Sequence, residues 1–179
     1  MKNINIEKIE YRKLKSNESK KYRFLRLESL KKYPNSFGSK YEEQKQREKL
    51  SFENFIENSN PECFIVGALH QDMLIGICGF YRHKDNYCNH RGEIVQMYVQ
   101  PKYHGNQIGF NLLNTTITEA FKIEELEQIE LQVMSNIKPA NKIYEKIGFQ
   151  ESGIQKRFYK KNGVYFDQRL MTFYRKNKN

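Results

Sequence analysis

The sequence predicts an α/β domain: a mixed, mainly antiparallel sheet of about six to seven strands flanked by about four helices. Three observations predict it. Short apolar runs bounded by turn residues, Cys63 to Leu69 and Met73 to Tyr81, read as buried strands. Longer stretches with apolar residues at helical spacing, Ser19 to Lys32 and Gln107 to Phe121, read as amphipathic helices. The two kinds alternate along the chain instead of falling into separate blocks. The 179 residues suit a single domain spanning 1–179.

Taken in order, Ile4, Ile6 and Ile9 among charges predict a first strand from Ile4 to Leu14. Tyr22, Leu25, Leu27 and Leu30 predict a helix that Pro34 stops. A second, polar helix is expected from Lys40 to about Asn58, with Leu50, Phe52, Phe55 and Ile56 on its apolar side. The two apolar runs then form a hairpin joined by His70, Gln71 and Asp72, and Gly92 to Val99 adds a third strand that Pro101 ends. Ile108, Leu112, Thr116, Ala120 and Phe121 share one helical stripe. Ile129, Leu131 and Val133 alternate with Glu130 and Gln132, as in a strand with one face buried. Pro139 opens another helix, Ile143 and Ile147 face inward, and Gly148 caps it. Two closing strands, Phe149 to Tyr159 and Val164 to Tyr174, are linked by a turn at Lys161, Asn162 and Gly163.

Composition narrows the function. Lys and Arg number 31 against 21 Asp and Glu, for a net charge of +10, which favours polyanionic partners such as a phosphorylated cofactor or nucleic acid. Much of that excess lies in short runs, such as Lys31-Lys32 and Arg175 to Lys178, that fit exposed ends and turns. Cys63, Cys78 and Cys88 form no CxxC pair and are odd in number, so neither a zinc site nor a disulfide framework is indicated. A cytoplasmic setting is expected: Met1 to Glu10 lacks the unbroken apolar segment of a secretory signal, and nothing approaches the 18 apolar residues of a membrane span. His70, His83 and His90 lack metal-ligand spacing, and no metal is expected.

The chemistry concentrates in the stretch Gln96 to Gly109. A strand enters a glycine-containing loop and then an amphipathic helix, so the unpaired N–H groups of the helix start form an anion site with the positive end of the helix dipole behind them. Such a loop alone is a weak signal, because a glycine near a helix start most often serves the turn.

This stretch resembles the signature of the GNAT superfamily of N-acetyltransferases, an MYV-x-P strand end followed by Arg or Gln and a Gly-x-Gly-x-Gly/Ala loop. Met97, Tyr98, Val99, Pro101, Gly105, Ile108 and Gly109 match it. The likeness continues through Leu131-Gln132-Val133, Ala140, the block Ile143-Tyr144-Glu145-Lys146-Ile147-Gly148-Phe149, and the tail from Asn162 to Met171. It covers residues 60–174, with the cofactor core at about 60–150. His104 stands where the family often has Arg, and Gln107 where it usually has Gly. The resemblance implies an acetyl-CoA-dependent enzyme that moves acetyl directly onto the primary amine of a small molecule or peptide. A homodimer is compatible with it.

The same resemblance assigns residues. The pantetheine arm would pair with the backbone of Met97 and Val99, with Tyr98 between them. The pyrophosphate would rest on N–H groups from Gly105, Asn106, Gln107, Ile108, Gly109 and Phe110, with His104 within reach. Asn136, one residue further from Tyr144 than in many relatives, would contact the pantetheine. Tyr144 would place its hydroxyl beside the departing sulfur. A phenol near pKa 10 is a weaker acid than a thiol near 8.5, so full proton transfer is uphill by roughly 2 kcal/mol, and hydrogen bonding to the developing thiolate is the safer role. An attacking amine with pKa about 10.4 is neutral less than ~0.1% of the time at pH 7, which calls for a base or a water relay. Glu93 is the candidate base, although a glutamate at a strand end is most often simply solvated; on the next parallel strand the position of a second family glutamate holds Gln132. Two alternatives remain: a coenzyme A-binding sensor of the same fold, and a basic nucleic-acid-binding module. The second is disfavoured because the aromatics follow core patterns and form no basic stacking surface.

Overall fold

The runs Cys63–His70 (β2) and Met73–Arg82 (β3) are apolar at nearly every position because both faces of the sheet are covered there. In the computed structural model, which describes residues 8–176, alternate residues of β2 enter two different cores. Phe64, Val66 and Ala68 join one, and Ile65 and Leu69 join the other. The turn between β2 and β3 is tight, with Gln71 and Asp72 both at positive φ, 50° and 63°, as a two-residue hairpin of the primed kind requires.

The remaining strands are β1 (Ile9–Lys13), β4 (Arg91–Val99), β5 (Gln128–Met134), β6 (Gln150–Lys161) and β7 (Val164–Tyr174). They form one seven-stranded sheet in the order β1-β2-β3-β4-β5-β7-β6. All neighbours are antiparallel except β4 and β5. The helices are α1 (Ser19–Lys32), α2 (Tyr41–Lys45), α3 (Glu53–Glu57), α4 (Ile108–Ala120) and α5 (Lys138–Ile147). Tyr22 and Leu25 of α1 and Ile56 of α3 fill the core on one face of the sheet. Leu112, Leu113 and Ile117 of α4 and Tyr144 of α5 fill the core on the other.

The mixed, mainly antiparallel sheet and its helices are those expected from the sequence, and α1 has the expected bounds. Two expectations change. The strand foreseen from Ile4 to Leu14 is Ile9–Lys13, with Ile4 and Ile6 lying outside the described residues. The helix foreseen from Lys40 to Asn58 is two five-residue helices, so the described residues hold five α-helices where about four were expected. Side-chain competition for backbone groups explains the break. Glu53 accepts the Leu50 N–H at 2.6 Å, and the Arg23 guanidinium donates to the carbonyls of Arg47 and Glu48 at 2.6 and 3.0 Å. Those groups have left the helical ladder. No described helix is long and apolar enough to cross a membrane.

Candidate active site

β4 and β5 are hydrogen-bonded only at their beginnings, where Arg91, Gly92 and Glu93 lie beside Gln128, Ile129 and Glu130. Beyond Glu93 they part. The edges of Ile94 to Val99 and of Gln132 to Met134 thus face each other across a cleft of about 600 Å³. The far edges of both strands are committed to β3 and β7, so the inner edges hold the unpaired backbone groups that a peptide-like ligand could use.

A bulge sits in the cleft wall of β4. Ile77 of β3 lies opposite Tyr98 and Gly79 opposite Val95, leaving Gln96 and Met97 to face Cys78 alone. Gln96 takes φ 56°, and its side-chain oxygen accepts the Tyr22 hydroxyl of α1 at 2.8 Å. A bulge leaves one ladder N–H unmatched and turns it out of the sheet. No residue pattern announces this bulge, because a glutamine at positive φ carries no compositional mark.

The end of the cleft is the start of α4. The N–H groups of Ile108, Gly109 and Phe110 have no acceptor within the helix and point out of it along the positive end of its dipole. Gly105 has φ 84°, and a Cβ placed there would meet nothing within 4 Å, so the loop can come close to a large anion. Lys142 and Lys146 of α5 line the same end and add positive charge. Sequence reasoning had not proposed these two as site residues; their i, i+4 spacing beside Tyr144 was the available signal.

Most residues expected at the cofactor site are brought together here. Met97, Tyr98, Val99, His104, Gly105, Gln107, Ile108, Gly109, Phe110 and Tyr144 all line the cleft. Two take other roles with their side chains. Tyr98 turns to the α1 face and donates its hydroxyl to Glu28 at 2.8 Å, which leaves only its backbone for the cleft. His104 uses Nε2 on the Val99 carbonyl at 2.8 Å, tying the loop to the strand end.

Three expected residues stand apart from the lining. Asn106 folds its amide onto the carbonyls of its own loop, Tyr103 and His104, at 3.3 Å each. Asn136 is exposed on the turn after β5. The buried asparagine of this region is Asn141, which donates to the carbonyls of Met134 and Ile137 at 3.2 and 2.9 Å and accepts Arg169 at 2.7 Å. It fixes the start of α5 against the end of β5. Glu93, the third, sits where the strands part, and its carboxylate accepts the hydroxyl of Tyr81, its cross-strand neighbour. Burial first, and Glu93 second, push the Tyr81 phenol up, so it keeps its proton and donates. Glu130, in register with Glu93 on β5, is neutralised by Arg91. Gln132 accepts Gln168 at 2.6 Å.

Tyr144 is 7% exposed, its ring held edge-on to Phe149 at 6.0 Å. None of the described residues hydrogen-bonds its hydroxyl, which lines the cleft. Burial and, to a smaller extent, the neighbouring Cys78 push this phenol up, so it is a hydrogen-bond donor at any ordinary pH. Among the described residues no group of three or more His, Cys, Asp or Glu could hold a metal ion.

A glycine inside a helix would weaken it, but Gln107 is the residue before α4 and has φ 57°. Gln107→Gly should therefore remove left-handed strain of about 1 kcal/mol and raise the melting temperature by ~2–4 °C, which differential scanning calorimetry would read. Loss of acetyl-CoA affinity in the same variant would make the glutamine side chain a ligand.

Comparison with known proteins places this arrangement. A family model described as the acetyltransferase (GNAT) family matches residues 24–149. A Bacillus subtilis (strain 168) protein provisionally named a ribosomal protein bS18-alanine N-acetyltransferase is 30% identical over 104 residues, 58% of this chain and 65% of that relative. The match thus spans slightly less than two thirds of that protein's length. A GNAT-family acetyltransferase from Streptococcus pneumoniae superposes with a TM-score of 0.77 at 21% identity, over 93% of this chain and 99% of the other. An acetyltransferase from Salmonella typhimurium, solved with its cofactor acetyl-CoA, gives 0.77 at 13% identity, over 96% of each chain.

Proposed function

We propose that this chain, which belongs to the acetyltransferase (GNAT) family, is a single-domain N-acetyltransferase that moves acetyl from acetyl-CoA directly to a primary amine of a small molecule or peptide. The observation that carries the reading is the parting of β4 and β5 beyond Glu93, with Tyr144 buried at its side and the start of α4 at its end. The residues present suit the cofactor: free strand edges for the amides of its arm, an open glycine loop and unpaired N–H groups for its phosphates, and Lys142 and Lys146 beside them. Bound there, acetyl-CoA supplies an activated thioester.

The chain's own groups then have distinct tasks. The α4 N-terminus and its lysines bind and orient the phosphates. The bulge at Gln96 and Met97 could donate an N–H to a bound acyl oxygen, as a fixed donor that needs no reorganisation. Tyr144 would donate its hydroxyl to the departing sulfur. Glu93 takes the amine proton, directly or through water.

Binding and turnover test the reading separately. Acetyl-CoA at a hundredfold excess over its dissociation constant should stabilise the fold by about 2.7 kcal/mol, a melting-temperature rise of ~5–10 °C for a chain of this size. A panel of amines, followed by thiol release, should then yield a substrate. Calorimetry without acetyl-CoA binding at millimolar concentration would remove the reading. Binding without turnover of any amine would leave a coenzyme A sensor.

A further inference from the structure

The buried and half-buried acids on and around α1 all have partners. Glu18 is met by Arg12 and Lys21, Glu28 by Lys32, Tyr98 and Gln100, and Glu53 by Arg23 and the Leu50 N–H. Arg26 has no such partner. It is 5% exposed, and among the described residues no carboxylate lies within salt-bridge distance of its guanidinium and nothing hydrogen-bonds its buried Nη1. Burial pushes the group down to about 10, which still leaves it charged at neutral pH. An uncompensated buried cation is costly and calls for an anion from outside the fold.

Its position says which anion. Arg26 follows Tyr22 by one helical turn, and the Tyr22 hydroxyl rests on Gln96, the bulge residue in the cleft wall. The guanidinium packs at 4.6 Å over the ring of Phe37, which also lines the cleft. Phe37 belongs to a stretch, 33–40, without helix or strand, so the ring can turn aside without breaking a backbone ladder. The cation therefore stands behind Phe37 on the α1 side of the cleft wall, where an acceptor that turned that ring aside would meet it.

We propose that Arg26 recognises a carboxylate on the acceptor, so that the substrate is a compact amine that also carries an acid group, of the amino-acid type. This rests on the acetyltransferase reading above and narrows it. One guanidinium balances one negative charge, and its planar fork matches a carboxylate. A phosphate dianion would need a second cation there, and α1 has no other unpaired one facing inward.

The test compares kcat/KM for the natural amino acids with that for their carboxamides, in the wild type and in Arg26→Met. The wild type should prefer the acids, against the intrinsic advantage of the amides, whose amines are less basic and more often neutral. In Arg26→Met the acid-to-amide ratio should fall about 10- to 100-fold, the range for a hydrogen bond to a charged group. Acetyl-CoA binding should persist, and the melting temperature should hold or rise because a buried unpaired charge has gone. Arg26→Lys, which keeps the charge but loses the fork, should fall between the two. A wild type that acetylates amides as well as acids, or a ratio unchanged by Arg26→Met, overturns the inference; failure of the wild type to bind acetyl-CoA or to acetylate any amine removes the underlying reading instead.

Discussion

Tyr144→Phe is expected to lower kcat by about 10- to 1000-fold, equivalent to about 1.4 to 4 kcal/mol, while acetyl-CoA affinity and melting temperature stay close to the wild type. The hydroxyl it removes makes no hydrogen bond within the described fold, so its loss orphans no protein group. The phenylalanine ring keeps the edge-on contact with Phe149 and the packing of a residue already 7% exposed. The raised pKa of Tyr144, caused by burial and then Cys78, argues against an acid that gives up its proton fully. It argues for a donor whose hydrogen bond strengthens as charge builds on sulfur, in a site where low dielectric magnifies that gain. An acyl donor with a better leaving group needs less of this help and should lose less rate. A residue that only packs would behave the other way, with a falling melting temperature and an unchanged turnover per folded molecule. Full kcat in the variant, with the chemical step rate-limiting, would leave solvent to protonate the thiolate.

What the sequence revealed and what it hid follow from the range of the interactions involved. β2 and β3 were legible because burial on two faces writes a continuous apolar run, and α4 because burial on one face writes a stripe. The breaking of the Lys40 to Asn58 helix was not, since it depends on Arg23 of α1 reaching the carbonyls of Arg47 and Glu48, a contact across more than twenty residues. The end of the candidate site at the start of α4 was largely legible: its parts lie on one strand-loop-helix segment and one later helix, and their residue types follow from local backbone needs. The rest of the candidate site was not. Gln96 gains its meaning from Tyr22, Glu93 from Tyr81, and Arg26 from the absence of any acid beside it among the described residues, a property that only the packed chain possesses. Asn141 and Asn136 show the same limit, because which asparagine ties α5 to β5 depends on where the strand ends.

Glu93→Gln should lower kcat by about 100-fold for a strongly basic amine, and that loss should shrink as the acceptor's pKa falls toward the assay pH. Glu93 is the last residue of β4 still paired to β5, so its side chain stands at the point where the cleft opens, on the strand face it shares with Val95. Its parallel neighbour Glu130 cannot take its place as a base while Arg91 holds that carboxylate, and Gln132, further along, has no basic oxygen. Among the acidic groups at this opening, Glu93 is thus the one whose charge is met by a neutral hydroxyl instead of a cation. Glutamine keeps an oxygen for the Tyr81 hydroxyl and nearly the same volume, so folding and acetyl-CoA binding should be preserved. What it cannot do is accept a proton. A Lys-like amine must lose one at a cost of roughly 4 to 5 kcal/mol at pH 7, whereas an amine with pKa near 7 is already half neutral and needs no base. Rates measured across amines of graded basicity therefore separate a proton acceptor from a residue that only shapes the cleft. A loss of the same size for every amine would make Glu93 a binding or positioning group, and no loss at all would leave the proton to water.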